Sequence, residues 1–212
     1  MTNFLQKKFR YTYFHATAII TVINILVYIL TSINKAYTFY FALNPSAVID
    51  LHMYWQLFTC TFIHHNIKHL FFNMFGFLMF GMYVEKSIGS KEFLLYFFIC
   101  GIFSNALSLL VYVLTGYWNV FLMGASGIVF SILFAFAVIF PTVKVFLFGI
   151  IPIPAPVLVL LYTVIEIFSQ VFGINSNVAH MTHLFGFLSA WLYFVIRFGI
   201  NPVKIWKNAL KH

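Results

Sequence analysis

Three short polar segments interrupt a chain that is otherwise strongly apolar. The first contains His69 and Asn73, which are four residues apart and therefore lie on one face of a helix. The second is the Gly-Ala-Ser-Gly segment around Ser126, and the third surrounds His183. A serine, a histidine and two side-chain donors are groups that acyl transfer uses, provided that the fold brings them together.

Ser126 is the candidate nucleophile. A serine hydroxyl is a weak nucleophile, so it needs a neighbouring base to take its proton. An apolar run begins at Ser126, which places the hydroxyl at a helix amino terminus, where free N–H groups favour negative charge. Gly124 and Gly127 lack side chains, so a substrate backbone and a second helix have room to approach. His69 and Asn73 would donate to the oxyanion that forms.

His183 is the candidate general base. Gly186 and Ala190 follow it at three and seven residues, so one helix face carries a histidine above a strip of small side chains. Small residues let membrane helices approach closely, and a base must come within about 3 Å of the hydroxyl that it deprotonates. At the same offsets from His180 stand His183 and the bulky Phe187, so His180 is predicted to lie at the cavity rim.

Composition indicates that membrane-spanning helices position these residues. Of 212 residues, 63% are hydrophobic and 8% are charged, whereas soluble domains carry about 25% charged residues. We therefore predict an all-α membrane protein, with one domain over residues 1–212 and six transmembrane helices. The predicted spans are His15–Thr31, His69–Val84, Phe93–Leu114, Ser126–Pro141, Val145–Val171 and Ala179–Phe198.

The basic residues predict the orientation. Ten of the twelve Lys and Arg residues fall on the amino-terminal side of the membrane, and only Lys35 and Lys68 fall on the other. The positive-inside rule then makes segments 1–13 and 199–212 cytoplasmic, with the site opening to the outer side of a plasma (inner) membrane. Residues 34–68 are predicted to form an interfacial, partly helical external loop, with a seventh span as the alternative. We attribute the net charge of +8 to residues that orient the chain in the membrane, so no nucleic-acid partner is expected.

The order and spacing of these motifs resemble the rhomboid family of intramembrane serine proteases over nearly the whole chain. His64, His69 and Asn73 match the family's H-x4-H-x3-N pattern. Further matches are Gly124-Ala125-Ser126-Gly127 for the nucleophile motif, His183, Gly186 and Ala190 for the last span, and Glu85 for a glutamate at the inner end of the second. The arginine that often follows the loop tryptophan of the family is Gln56 here.

The resemblance implies a rhomboid-type six-helix bundle that cuts transmembrane segments of other proteins. It implies a Ser–His dyad of Ser126 and His183 with no third acid, no metal and no cofactor, in a cavity that opens outward. Phe130 takes the position whose ring packs on the catalytic histidine in relatives. The remaining site residues are His69, Asn73 and Gly124 for substrate and oxyanion stabilisation, and His64, Gly127, Gly186 and Glu85 in supporting roles.

Two other functions remain open. The chain resembles an enzyme, but an inactive rhomboid-like protein that binds membrane helices without cutting them is one alternative. The other is a membrane metal protein with histidine ligands drawn from His64, His65, His69, His180 and His183. Against the metal protein, the only acid expected on the outer side with these histidines is Asp50. The residues do not indicate an oligomeric state.

Glu166 is the only acid well inside a predicted span. A charge at that depth is costly, so we expect its carboxyl group to be protonated or hydrogen-bonded on the protein-facing side of the fifth helix. A helix–helix hydrogen bond is favoured over a gating role. On that basis Glu166→Gln is expected to be nearly silent.

Overall fold

The computed structural model of the chain describes residues 4–7, 9–147, 149–173 and 180–211. Within these residues the chain forms a bundle of helices with one two-stranded hairpin. A π-helical turn over Phe194–Phe198 continues the ninth helix. The helices are α1 (Ala16–Ile33), α2 (Ala36–Phe41), α3 (Pro45–Ile49), α4 (Gln56–Thr59), α5 (Ile67–Ile88), α6 (Ser90–Leu114), α7 (Ser126–Ile139), α8 (Ala155–Phe172), α9 (His180–Tyr193) and α10 (Pro202–Ala209).

Five helices among the described residues are long and apolar enough to cross a bilayer, namely α1, α5, α6, α8 and α9 with its π-helical extension. The prediction of a helical membrane bundle is therefore confirmed. The predicted fourth span, α7, is apolar but has only 14 residues, which is about 21 Å of helix. Because a bilayer core is about 30 Å thick, the length of α7 does not confirm a sixth crossing.

Most predicted helix ends agree with the observed ends to within a few residues. The second span begins earlier than predicted, at Ile67, because the side chain of Asn66 caps α5 by accepting the N–H of His69 at 2.9 Å. It ends at Ile88, before Gly89, whose φ of +83° is unfavourable for residues with a side chain. The predicted first residue of the last span, Ala179, lies outside the described residues.

Helix α7 lies at the centre of the bundle. It packs against α5, α6, α8 and α9, and all residues from Ser131 to Val138 are buried. A helix that is apolar on every face is stable when neighbouring helices surround it. The helix that begins with Ser126 is therefore held by protein contacts from several directions.

The segment between α1 and α5 is partly helical, as predicted. It contains α2, α3, α4 and a 3₁₀ turn over Cys60–Phe62, and none of these is long enough for a seventh span. The fully buried Gln56 holds the segment together. Its Oε1 accepts the N–H of Asn44 at 3.0 Å, and its Nε2 donates to the carbonyl of Phe39 at 2.9 Å.

The prediction of a fifth helix from Val145 is wrong over its first ten residues. Two antiparallel strands, β1 (Lys144–Leu147) and β2 (Ile151–Pro154), occupy this segment, and α8 begins only at Ala155. Proline lacks an N–H and its ring clashes with the preceding turn of a helix. The prolines of β2 therefore exclude a helix, whereas Pro156 is tolerated in the first turn of α8.

Glu85 joins three helices at the end of the bundle far from Ser126. The amino terminus of α1 has no side-chain cap of its own. Instead, the carboxylate of Glu85 accepts the N–H groups of Ala16 and Thr17 at 2.6 and 2.9 Å. It also accepts the hydroxyl of Ser90, the first residue of α6, at 2.5 Å. An acid beside free N–H groups stabilises a helix amino terminus.

Both ends of the chain pack at this same end of the bundle. Arg197 forms a two-pronged ion pair with Glu92, at 2.8 and 2.9 Å, and donates to the carbonyl of Leu5 at 2.7 Å. In the tail, the indole N–H of Trp206 on α10 donates to the carbonyl of Ala137 at 3.0 Å. The first and last described segments of the chain therefore lie at one end of the bundle.

An apolar groove of about 670 Å³ separates α1 from α6 and the loop helices. Its walls include Ile23, Leu30, Phe41 and Phe98. None of the candidate site residues lines it, so the groove is a feature of the outer surface of the bundle.

Candidate active site

Ser126 begins α7 directly after a glycine that adopts a left-handed backbone. Gly124 has a φ of +116° and donates its N–H to the carbonyl of Cys60 at 2.9 Å, which fixes the turn before the helix. A Cβ on Gly124 would lie 2.7 Å from Nε2 of His69 and 3.2 Å from Nδ2 of Asn73. Only glycine fits both this conformation and this contact, so the serine segment meets α5 as predicted.

The amide of Asn73 is the donor of interest on α5. It is 6% exposed, and its Nδ2 makes no hydrogen bond with any described residue. Buried donors without a partner are rare in folded proteins. With Nε2 of His69 against the same glycine, two side-chain nitrogens converge on the segment that carries Ser126.

His64 is buried behind this pair. Its ring centre lies 5.2 Å from that of His69 in an edge-on arrangement. Burial, with the nearby His69 as a smaller cause, lowers the pKa of His64 from its ordinary value of 6.5 to about 4. A neutral His64 therefore packs against His69 without adding positive charge at neutral pH.

His183 lies on α9 in a position set by two contacts with α7. The ring stacks on Phe130 at 4.2 Å between centres and 9° between planes, the arrangement that the family resemblance implies. One turn further on, a Cβ on Gly186 would overlap the backbone carbonyl of Gly127. The two helices are thus as close as backbones allow, in agreement with the predicted strip of small side chains.

No hydrogen bond joins the two described side chains of Ser126 and His183. In proteases without bound substrate the catalytic hydrogen bond is often long and shortens only when substrate binds. In the structure, the two residues lie near the first turns of adjacent helices α7 and α9 but are not hydrogen-bonded to each other.

Glu166 corrects the expectation that no third acid accompanies the dyad. Its Oε1 lies 3.0 Å from Nδ1 of His183, and its Oε2 lies 2.5 Å from Nδ1 of His180. Nδ1 of His183 is close enough to the carboxylate for an ion pair, but the direction of the contact is not that of a hydrogen bond. The carboxylate is thus on the protein-facing side of α8, as predicted, but its partners are the candidate base and the adjacent histidine.

His180 is not the rim residue that the sequence predicted. It is 7% exposed, and its ring lies between α8 and α9 in contact with the Glu166 carboxylate. Within the described residues, one ligand atom each from Glu166, His180 and His183 lie within 4.8 Å of one another. The sequence reading that only Asp50 could join the histidines as an acidic ligand is therefore wrong.

The comparison with known families decides the class of protein. The family model described as the Rhomboid domain matches residues 51–200. This range includes all three polar segments and every candidate site residue.

The chain belongs to the rhomboid family.

Two plant proteins are similar to this rhomboid chain. Rhomboid-like protein 15 of Arabidopsis thaliana is 28% identical over 191 residues, which cover 81% of this chain and 47% of the relative. RHOMBOID-like protein 1 of the same plant is 33% identical over 92 residues, which cover 43% of this chain and 22% of the relative. The chain thus spans less than half the length of the curated relatives that it matches.

Sequence reasoning missed several residues around the rhomboid site. For Glu166 the available signal was depth, since it lies six residues before the end of α8 and His183 lies three residues after the start of α9. Depth alone does not show that the two side chains meet. Ser104 and Ser108, four apart on α6, also face the site helices. Ser104 borders Gly127, and Ser108 shares a 2.7 Å hydrogen bond with Thr182. Their spacing was the available signal, but hydroxyl groups within spans are too common to single out.

Proposed function

We propose that this rhomboid chain is an intramembrane serine endopeptidase that cleaves the transmembrane segments of other membrane proteins. The observation that carries the proposal is the buried Nδ2 of Asn73, which has no hydrogen-bond partner among the described residues and faces the serine segment together with His69. A donor without a partner at this position is what an oxyanion site requires before substrate arrives. A purely structural polar cluster would satisfy its own donors.

In the first step, Oγ of Ser126 attacks the carbonyl carbon of the scissile peptide bond. Its proton passes to Nε2 of His183, and the electron pair of the carbonyl moves to the oxygen. The resulting oxyanion is stabilised by the side chains of Asn73 and His69 and by free N–H groups at the start of α7. His183 then gives its proton to the leaving amine, and an acyl-enzyme remains on Ser126.

In the second step, water replaces the amine. His183 takes a proton from the water as it attacks the ester, and returns that proton to Oγ of Ser126 as the acid product leaves. Glu166 supports both steps by position. A carboxylate at Nδ1 favours the tautomer with its proton on that nitrogen, which leaves the lone pair of Nε2 for Ser126.

The substrates and the membrane are inferred from the same features. The site lies at the ends of apolar helices, so a transmembrane segment is the peptide that reaches it from the bilayer. The charge distribution supports cytoplasmic termini and a site that opens to the outer side of a plasma (inner) membrane. No nucleic acid and no cofactor take part in this mechanism.

One observation favours a second candidate, a protein that binds membrane helices without cutting them. Ser126 and His183 make no hydrogen bond to each other, although both side chains are described. If the hydroxyl of Ser126 never comes within reach of His183, the site can still bind a membrane helix but cannot cleave it. This candidate uses the same site but predicts an unreactive serine.

Labelling with a fluorophosphonate separates the two candidates. The protein is purified in detergent, treated with the probe, and the modified residue is identified by mass spectrometry. The endopeptidase is expected to carry the label on Ser126, and His183→Ala is expected to lose it. A wild-type protein that folds but takes no label at Ser126 would support the binding protein and contradict the proposal.

A further inference from the structure

The carboxylate of Glu166 bridges two histidines that stand on adjacent turns of α9. All three side chains are 9% exposed. The two oxygens have different partners, with Oε2 at 2.5 Å from His180 and Oε1 at 3.0 Å from His183. The mechanism proposed above uses the contact with His183 but assigns no purpose to His180.

Two imidazoles and one glutamate are a ligand set that binds zinc in proteins. The three residues come from two helices that are already packed together, and their spacing of three along α9 places both imidazoles on one side of the helix. One ligand atom from each residue lies within 4.8 Å of the other two. A second observation points the same way, since Nδ1 of His183 is buried and makes no well-directed hydrogen bond.

The distances require only a small adjustment to accept the ion. Zinc–ligand bonds of about 2.0–2.2 Å place tetrahedral ligands roughly 3.4 Å apart. The nitrogen–oxygen separations in the structure are shorter than this, at 2.5 Å for His180 and 3.0 Å for His183. A metal between these atoms would move each nitrogen–oxygen pair apart by less than about 1 Å. The remaining separations among the three ligand atoms, which are at most 4.8 Å, would close by up to about 1.4 Å, and side-chain rotation supplies both changes. Zinc with three protein ligands takes water as the fourth ligand.

Zinc at this place would compete directly with catalysis. A neutral imidazole has one lone pair and one N–H. If Nδ1 of His183 gives its lone pair to zinc, the proton must reside on Nε2, and no lone pair remains for the hydroxyl of Ser126. We propose that Glu166, His180 and His183 form a binding site for one Zn²⁺ ion, and that occupancy of this site inhibits the protease reversibly.

The effect on activity rests on the proposed function, but the binding of zinc does not. Binding is therefore measured first, by titrating zinc chloride into the detergent-purified Ser126→Ala protein in a calorimeter. We expect one zinc per chain, and at least tenfold weaker binding when Glu166→Gln or His180→Ala is added. His180→Asn serves as a second variant because its amide can still donate to Glu166. The matched control is the exposed His65→Ala, which should bind zinc normally.

Inhibition is then measured with a transmembrane substrate, taking each protein relative to its own metal-free rate. The wild type and His65→Ala should lose activity over the zinc range that fills the site, and a chelator should restore it. His180→Ala should resist zinc. Absence of binding to Ser126→Ala, binding that survives all three site variants, or zinc that stimulates cleavage would each overturn the proposal. A wild type that binds zinc but never cleaves would instead contradict the proposed function.

Discussion

Gly186 on α9 meets the backbone carbonyl of Gly127 on α7 without room for a single additional carbon atom. This contact is one residue from Ser126 and three residues from His183. The distance between nucleophile and base therefore depends on two residues that take no part in the chemistry.

The first prediction is that Gly186→Ala separates α7 from α9. A Cβ would overlap a backbone atom, which cannot rotate away, so we expect a loss of stability of about 1–3 kcal/mol and a large loss of activity. Thermal unfolding in detergent and cleavage of a transmembrane substrate measure the two effects. Gly76→Ala is the matched control, because its Cβ would meet a Val129 methyl group and not backbone. Equal behaviour of the two variants would show that the close backbone contact is unimportant.

The second prediction concerns the donors on α5. Asn73→Ala and His69→Ala should each lower turnover by about 10²-fold, the scale of losing one oxyanion donor. Asn73→Ala should not prevent folding, since Nδ2 of Asn73 has no hydrogen-bond partner to lose among the described residues. Turnover and thermal stability are measured together for both variants. Unchanged turnover in both would remove these side chains from the site and leave the backbone N–H groups of α7 as the only donors.

The third prediction revises the sequence-based expectation that Glu166→Gln is nearly silent. An amide offers Nδ1 of His183 a neutral partner in place of a carboxylate, so the required tautomer is less favoured. We expect kcat to fall by at least about tenfold, with an upper bound near 10⁴-fold, the loss when the acid of a Ser–His–Asp triad becomes an amide.

Two further measurements on Glu166 separate positioning from structure. KM should change little in Glu166→Gln, since the carboxylate does not touch substrate. Glu166→Asp should recover part of the lost kcat, because it restores the charge. Glu166→Gln with wild-type kcat would return the residue to a helix–helix contact without a catalytic effect.

Some of this arrangement follows from the sequence and some does not. Ser126 is predictable from the glycines on either side of it at the start of α7. The position of His183 is predictable because its spacing from Gly186 places both on one face of α9. The partners of Glu166 are not, because they depend on how α8 packs against α9. The hairpin before α8 was missed because its strands are as apolar as a span, and hydropathy outweighed the prolines. The burial of His180 follows from its carboxylate partner, which no pattern on its own helix reveals.

The fourth prediction concerns pH and stability. The pKa of His64 is about 4 in the folded protein and near 6.5 in an unfolded chain. Between these values the unfolded chain binds more protons, so the free energy of unfolding should fall as the pH falls from 6.5 to 4, by up to about 3 kcal/mol. Unfolding of wild type and His64→Gln is compared across this range.

We expect a flatter pH dependence for His64→Gln, and the wild-type dependence for the exposed His65→Gln. If His64→Gln retains the full wild-type slope, another group is responsible and His64 is not held neutral by burial.

The most direct test of the account is cleavage of a transmembrane substrate by wild type, Ser126→Ala, His183→Ala and the double variant. We expect the wild type to cut, each single variant to lose activity, and the double variant to lose little more, because the two residues act as a unit. Thermal stability should change little in Ser126→Ala, since the hydroxyl contributes chemistry more than packing. Cleavage by a folded Ser126→Ala protein at a rate comparable to that of the wild type would contradict the account.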